Sequence, residues 1–268
     1  TVGAVMARLK DSGVECVTNY LFGRDATAQE LFDEGFSAVL LACGAGVPAA
    51  AGIPGEEAAG VMSVEEFLKL RHWMKAGIEP YTTPFDIGRK VVVVGGGALS
   101  FNAARMLVRL KREVVILVGG SETDLGVDAT MAREAAEEGV KVKTYASVKT
   151  IQKDHAGCVR SVGCEHMSLR ADQGGRLATV VEPDSDFSLE ADTVLISAGG
   201  MPDTLFLRTL PDLKLDAKGK VEVKPMSSET SLTGVFACGQ IVAPAALIVE
   251  VVASAKRTAG DIDKFLTT

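Results

Sequence analysis

Three consecutive glycines separate a run of valines from an amphipathic segment, and their spacing suits phosphate binding. Residues 90–100 read KVVVVGGGALS, the pattern of a strand that turns directly into a helix. Gly95 lets the chain turn sharply off the strand, and Gly97 lets backbone N–H groups approach a pyrophosphate without a Cβ in the way. The phosphate charge would then lie at the positive end of the helix. Ser100 stands where the G-x-G-x-x-G pattern has its third glycine, and it is small enough for close helix-to-strand packing.

The segments that follow the glycines favour a nucleotide site. Apolar residues recur at helical spacing from 99 to 110, and residues 113–118 (EVVILV) supply a second buried strand. This order is that of a βαβ unit, although the glycines alone would also fit a simple tight turn. The predicted cofactor contacts of this unit are Gly95, Gly96, Gly97, Ala98, Leu99, Ser100 and Gly119.

Three predicted strands end alike, in LACG, ISAG and FACG. Small residues at such ends bring bare backbone up to a flat ligand at the carboxyl edge of a sheet, where open α/β folds bind cofactors. The alternative is that these small residues only avoid a neighbouring loop. The residues predicted to line a cofactor cleft at these ends are Gly44, Ala198, Gly199, Gly239 and Gln240.

The order of elements predicts an α/β fold with two Rossmann-like dinucleotide-binding domains, one inserted into the other. Residues 1–85 and 201–268 are expected to form a truncated FAD-type domain, and residues 86–200 the inserted NAD(P)-binding domain. Capping-box spacing predicts helix starts at Thr27 with Glu30 and at Ser63 with Glu66. Four further segments are predicted to be a strand at 14–20, a linker at 77–88, a polar hairpin turn at 172–176 and a final helix at 245–266.

The composition excludes several classes of partner. The formal net charge is −7 and no basic stripe is present, so a nucleic-acid partner is not expected. Glycine, proline or glutamate interrupts the most apolar stretches, so membrane insertion is not expected either. Five cysteines without a CxxC pair favour a reducing, cytoplasmic compartment and no metal site. Cys158 and Cys164 are predicted to share one face of a strand and to pack there.

Four motifs in order resemble one family across essentially the whole chain. They are FSAVLLACGAGVPAAAGIPGEEAAGVMSVEEFL, VVVVGGGALSFNAARMLVRLKREVVILV, DFSLEADTVLISAGGMPDT and TSLTGVFACGQIV. Together they resemble the small (beta) subunit of glutamate synthase and related flavin-dependent NAD(P)H oxidoreductases. The resemblance implies a hydride transfer from reduced nicotinamide to FAD, with electrons passing on to iron–sulfur clusters or a partner subunit. It implies no catalytic acid or base, because hydride transfer between cofactors depends on stacking and distance.

The chain departs from that family at three places. It lacks the cysteine-rich iron–sulfur segment and the first glycine-rich FAD-binding unit, and it opens in what reads as mid-helix, so we interpret it as a fragment. Gln240 stands where the family has an aspartate that contacts the flavin, so FAD is expected to be absent or weakly held. After the second strand, residues 119–122 (GGSE) lack the paired arginines that grip a 2′-phosphate, whereas Glu122 or Asp124 offers an acceptor to a free ribose hydroxyl. This favours NAD(H) over NADP(H).

Two functions fit these observations. The first is an NAD(P)H oxidoreductase of the glutamate synthase beta-subunit type, working with a partner redox subunit or a missing N-terminal region. The second is a nucleotide-binding or docking module of the same fold without catalytic activity, which Gln240 and the missing FAD unit suit.

Overall fold

The computed structural model describes residues 2–75, 77, 87–171, 177–243 and 248–268. The chain forms two compact units, one made of Thr1–Val47 with Met201–Thr268 and the other of Pro48–Gly200. The helices are α1 Val2–Asp11, α2 Ala28–Asp33, α3 Val64–Lys75, α4 Ala98–Arg109, α5 Ala129–Glu137, α6 Thr204–Leu207 and α7 Ile248–Thr267. The strands are β1 Val39–Leu41, β2 Val47–Pro48, β3 Val61–Ser63, β4 Lys90–Val94, β5 Glu113–Leu117, β6 Lys141–Lys143, β7 Ala146–Lys153, β8 Val159–Ala171, β9 Leu177–Glu190, β10 Thr193–Ile196, β11 Gly200–Met201 and β12 Val235–Ala237.

The unit Pro48–Gly200 is built on a five-stranded parallel sheet with the order β3-β10-β4-β5-β6. Its strands are nearly continuous runs of valine, isoleucine and leucine, as expected where both faces are covered. Val91 and Val93 pack with Phe67 and Phe101 on the face covered by α3, α4 and α5. Val92, on the opposite face, packs against the antiparallel sheet of β7, β8 and β9. The parallel sheet of the predicted α/β fold is therefore present, with helices on one face and a small antiparallel sheet on the other.

The antiparallel sheet carries a long two-stranded extension. β8 and β9 pair from Ser161↔Glu190 to Ala171↔Leu177, with a register shift between Glu165 and Met167. The predicted hairpin turn at 172–176 lies outside the described residues. The strands on either side of it pair antiparallel, as a hairpin requires.

The other unit contains a two-stranded parallel sheet in which β1 pairs with β12, in the register Leu41↔Ala237. Thr27 and Glu30 form the predicted capping box of α2, with Thr27 N donating to a Glu30 carboxylate oxygen at 2.7 Å. The predicted strand at 14–20 is wrong. Val17 and Tyr20 in this segment are 63% and 47% exposed and pair with no strand among the described residues. β-branched and aromatic residues favour a strand only where they pack against neighbouring strands, and these residues have no such neighbours in the described structure.

The first boundary between the units lies earlier than predicted. The sequence predicts that residues 1–85 belong to the FAD-type domain, but β3 pairs with β10 through Val61↔Val194 inside the other unit. Val64 and Phe67 of α3 are fully buried in that unit's core. The division therefore falls at Val47/Pro48 and not at 85/86. Of the predicted linker at 77–88, only residues 77, 87 and 88 are described.

Candidate functional site

The glycine turn leaves β4 at the carboxyl edge of the parallel sheet. Gly95 has φ +112°, which favours glycine, and its N–H donates to Leu117 O of β5 at 2.9 Å. A Cβ on Gly95 would lie 3.2 Å from both the Cβ and the carbonyl oxygen of Ser197, which follows β10. The turn therefore lies between the ends of β5 and β10. In open α/β sheets this edge is where ligands bind, at the point where the strand order reverses.

The next two glycines differ in what surrounds them. A Cβ on Gly96 would lie 3.1 Å from side-chain carbons of Val118 and Leu125, so this position is closely packed. A Cβ on Gly97 would meet no described atom within 4 Å. Gly126 N donates to Gly96 O at 3.0 Å, which ties the chain after β5 to the turn. A ligand therefore has room to contact the protein backbone at Gly97 but not at Gly96.

Helix α4 begins directly after this open position. Gly97 is its N-cap and has no side chain to occupy the free N–H groups of the first turn, which Ala98, Leu99 and Ser100 contribute. Leu99 is 44% exposed, whereas Ser100 is fully buried. The Ser100 hydroxyl finds no hydrogen-bond partner in the described part of the chain. The amide groups of this turn can receive an anion at the positive end of the helix.

An ion-pair network holds α4 against α5. Glu138, directly after α5, accepts from Arg105 and Arg109 of α4, with the shortest N–O distances at 2.6 Å. Hydrogen bonds from Arg109 and Arg105 lower the pKa of Glu138 to about 2. The carboxylate of Glu138 therefore stays charged throughout the neutral pH range. It holds the carboxyl-terminal half of α4 in place, and the first turn of the same helix faces the site.

The segment after β5 is acidic and internally hydrogen-bonded. Asp124 accepts from the N–H and the hydroxyl of Ser121, at 2.8 and 2.7 Å, and these bonds lower the pKa of Asp124. A Cβ on Gly120 would lie 2.6 Å from a carboxylate oxygen of Asp124. Glu122 is exposed. Residues 119–124 thus form a compact turn that carries two negative charges and no cation.

The end of β10 lies beside the turn. Ser197 N donates to Val94 O at 2.9 Å, and Gly199, with φ +83°, accepts from Ala49 N at 2.9 Å. Gly95 and the end of β10 are therefore neighbours at one edge of the sheet, with Ala198 between Ser197 and Gly199 in the chain.

In the other unit the structure brings together Gly44, Gly239 and Gln240. Gly44 and Gly239 follow the paired strands β1 and β12 and have φ +74° and +76°. A Cβ on Gly44 would lie 4.0 Å from the side-chain oxygen of Gln240. Gly239 N donates to the Ser254 hydroxyl of α7 at 3.2 Å, and Gln240 O accepts from the Lys220 ammonium at 2.7 Å. The predicted residues of this second group are thus neighbours as well.

The five cysteines are free thiols. Cys164 is buried, which raises its pKa to about 11, whereas Cys158 is exposed in the turn that precedes β8. The two do not share a face, so that prediction is wrong. In the described ranges no cluster of three or more histidine, cysteine or acidic side chains could hold a metal ion, and no helix there could cross a bilayer.

Sequence reasoning missed Ser197, Leu125 and Gly126 as neighbours of the turn. Leu125 limits the space at Gly96, and Gly126 forms a β-bridge with Gly97. Only the glycine at 126 carried a local signal, because the contacts of Ser197 and Leu125 depend on sheet order and loop path.

A parallel sheet in which one strand turns through glycines into the helix of a βαβ unit defines the dinucleotide-binding class of α/β proteins. Within that class, the chain belongs to the pyridine nucleotide-disulphide oxidoreductase family, whose model matches residues 3–259.

Two relatives match almost the whole chain. The chain is 30% identical over 262 residues to the NADP(+)-dependent formate dehydrogenase subunit beta of Moorella thermoacetica, and the match covers 96% of this chain and 36% of that subunit. It is 26% identical to the glutamate synthase [NADPH] small chain of Escherichia coli, covering 95% of this chain and 55% of that protein. The chain therefore spans only about a third to a half of these two relatives.

The same fold occurs in the FprA oxidoreductase of Mycobacterium tuberculosis, described with a covalent modification of NADP+. The match has a TM-score of 0.75 at 19% identity and covers 93% of this chain and 68% of that one. The predicted family resemblance is confirmed, and so is the predicted fold class.

Proposed function

We propose that the chain is the nucleotide-binding part of an NAD(P)H oxidoreductase of the glutamate synthase beta-subunit type. The observation that carries the proposal is the Gly95–Gly97 turn, in which the backbone is open at Gly97 and closely packed at Gly95 and Gly96. A pyrophosphate placed there would meet the free amides at the start of α4. In this assignment residues 48–200 form the nucleotide domain and the remaining residues belong to an FAD-type domain.

The reaction proposed is hydride transfer from reduced nicotinamide to FAD, with electrons passing on to a partner redox subunit or an iron–sulfur centre. The chain's own role would be to hold the two cofactors, because such a transfer depends on orientation and distance. The names of the relatives support a partner, since the first is the beta subunit of a formate dehydrogenase and another the small chain of glutamate synthase. Free cysteines support a reducing, cytoplasmic compartment.

The FAD side of the proposal rests on Gly44, Gly239 and Gln240. Bare backbone at the ends of two paired strands offers a flat surface, and the side-chain oxygen of Gln240 lies 4.0 Å from the position of a Cβ on Gly44. Gln240 offers an amide in place of a carboxylate. We therefore propose that the chain of 268 residues holds FAD weakly.

NAD(H) is proposed as the preferred nucleotide. The ribose of the adenosine half lies near the end of the second strand of such a unit, which is β5 here. The turn that follows β5 presents Glu122 and Asp124 and no arginine, so a 2′-phosphate would meet repulsion where a free hydroxyl would meet an acceptor. The named relatives use NADP(+) or NADPH, so this preference would set the chain apart from them.

Calorimetric titration of the purified chain with NADH and with NADPH tests the proposal. Binding of NADH, with NADPH at least several-fold weaker, is the expected result. No binding of either nucleotide would overturn the proposed function. A preference for NADPH would leave the nucleotide site standing and refute the assignment of residues 119–124.

The second function is a nucleotide-binding or docking module without catalysis, and Gln240 is the observation that favours it. The two are separated by NADH-dependent reduction of ferricyanide, measured with excess FAD present. Turnover that requires FAD supports the oxidoreductase. Nucleotide binding without turnover supports the module.

A further inference from the structure

The turn Gly239–Ile241, which the proposed function places on the FAD side, is held by two side chains from other parts of its unit. Gly239 N donates to the Ser254 hydroxyl of α7 at 3.2 Å. The Lys220 ammonium donates to Gln240 O at 2.7 Å. The backbone is thus fixed at the amide before Gln240 and at the carbonyl of Gln240 itself. The inference that follows rests on the proposed function.

Lys220 is unusually buried for a lysine. Only 9% of the residue is exposed, and burying an ammonium is costly unless it is hydrogen-bonded. The bond to Gln240 O therefore determines where the charge lies. The backbone of this segment is held as well, because Lys220 N donates to an Asp216 carboxylate oxygen at 2.9 Å. Val221 N donates to Ile241 O at 2.9 Å, which joins the segment to the turn a second time.

Ser254 belongs to a row of polar residues on the inner face of α7. Ser254, Thr258 and Asp261 stand four and three residues apart, a spacing that places side chains on one helix face. Thr258 is only 1% exposed. The inward face of a helix is normally apolar, and serine and threonine are not favoured in a helix interior. Polar residues at these three positions therefore indicate a specific set of hydrogen bonds.

The polar row binds α7 to the strand that carries the turn. Thr258 donates its hydroxyl to Ser228 Oγ at 2.8 Å, and Ser228 donates its N–H and its hydroxyl to Asp261 at 3.0 and 2.9 Å. Ser228 O accepts from Ala237 N of β12 at 3.0 Å. A buried network whose members are hydrogen-bonded specifies one arrangement. Helix α7 is therefore fixed along β12, and Ser254 is fixed with it.

We propose that Ser254 and Lys220 are positioning residues that aim the side chain of residue 240 at the FAD side of the site. Fixing the backbone on both sides of a Cα determines the direction in which its side chain leaves. In the structure that direction leads toward Gly44, since the position of a Cβ on Gly44 lies 4.0 Å from the side-chain oxygen of Gln240. A carboxylate at position 240 would accordingly improve FAD binding only where both supports are intact.

A double-mutant cycle tests this coupling, with FAD affinity measured by titration of flavin fluorescence. Gln240→Asp alone should bind FAD about fivefold more tightly than the wild type, because hydrogen bonds to charged groups are stronger than neutral ones. In the Ser254→Ala or the Lys220→Met background, the same change should tighten binding by less than about twofold. Ser254→Thr keeps the hydroxyl and should restore the full fivefold effect.

Thr230→Val is the matched control. Thr230 is fully buried in the same unit, and its hydroxyl donates to Leu232 O at 3.3 Å and has no bond to the turn in the described structure. Thr230→Val should lower the melting temperature and leave the effect of Gln240→Asp at about fivefold. If Ser254 had a purely structural role, Ser254→Ala would do the same, and that result overturns the inference.

Two other results are decisive. An effect of Gln240→Asp that is lost with Lys220→Met but kept with Ser254→Ala would reflect attraction between the ammonium and the new carboxylate, and it would overturn the inference. Ser254→Ala changes no charge, so a loss in that background supports positioning. Absence of FAD binding in both the wild type and Gln240→Asp, with NADH still bound, would refute the FAD side of the proposed function and the inference with it.

Discussion

Gly97→Val separates the turn's role in folding from its role in binding. Gly97 has φ −81° and ψ 168°, which any residue adopts, and a Cβ there meets no described atom within 4 Å. Valine restricts the unfolded chain, which raises the free energy of unfolding by about 0.4–1 kcal/mol. Valine is also a poorer N-cap than glycine, which lowers the free energy of unfolding, so the two effects nearly cancel. The melting temperature should therefore stay within about 2–4 °C of the wild type.

The same variant should lose most of its nucleotide affinity. The branched side chain would fill the space through which the first amides of α4 reach a pyrophosphate. Each hydrogen bond to a charged group contributes about 1.5–3 kcal/mol. Losing two of them costs about 3–6 kcal/mol, or roughly a 10²- to 10⁴-fold weaker affinity. Calorimetric titration with NADH measures this directly.

Gly96→Val is the matched control. Its Cβ would lie 3.1 Å from carbons of Val118 and Leu125, so overpacking should destabilise the fold by about 1–3 kcal/mol. Gly96→Val should therefore be the less stable variant, whereas Gly97→Val should be fully folded and should bind NADH far more weakly than the wild type. Gly97→Val that binds NADH as tightly as the wild type would mean that the glycines form only a turn.

Three further outcomes are expected. Ser100→Ala removes a buried hydroxyl that has no partner in the described structure, so thermal denaturation should show an unchanged or higher melting temperature; a fall would show that the hydroxyl is bonded. The pKa of Glu138 is lowered to about 2 by Arg109 and Arg105, so the stability it contributes is present above the unfolded pKa of about 4.5 and is lost as pH falls toward 2. Urea denaturation should accordingly show a gap between wild type and Glu138→Gln at pH 7 that narrows by pH 3, and a gap that is the same at both pH values would contradict this. Flavin absorbance of the purified chain should be low and should rise after incubation with FAD more in Gln240→Asp than in the wild type; a stoichiometric yellow wild type would refute weak FAD binding.

The parts of the site that the sequence predicts are those whose causes are local. The valine run, the glycines and the apolar spacing of α4 lie within 20 residues of one another, from 90 to 109. Strand, turn and helix follow from backbone freedom and periodicity over that length. Gly44 and Gly239 were also predicted to lie together, because two strands with similar endings are expected at one edge of a sheet.

The errors arise where the outcome depends on distant pairing. β3 is three residues long, and only its pairing with β10, more than 130 residues later, places it in the nucleotide unit. Residues 14–20 have strand-like composition, but they pair with no strand in the part of the chain that the structure describes. Cys158 is not on the face of Cys164, because the pairing of β7 with β8 shifts register between Gln152 and Lys153 and inserts one extra residue into β8.

The neighbours of the glycine turn show why a complete site exceeds local sequence reasoning. Ser197 follows β10, which pairs with β4 in the parallel sheet, and this pairing brings the Ser197 side chain to 3.2 Å from the position of a Cβ on Gly95. Leu125 limits the space at Gly96 because the bond from Gly126 N to Gly96 O holds the chain after β5 against the turn. Contacts of this kind depend on strand order and on the path of a loop, so no pattern near Ser197 or Leu125 in the sequence predicts them.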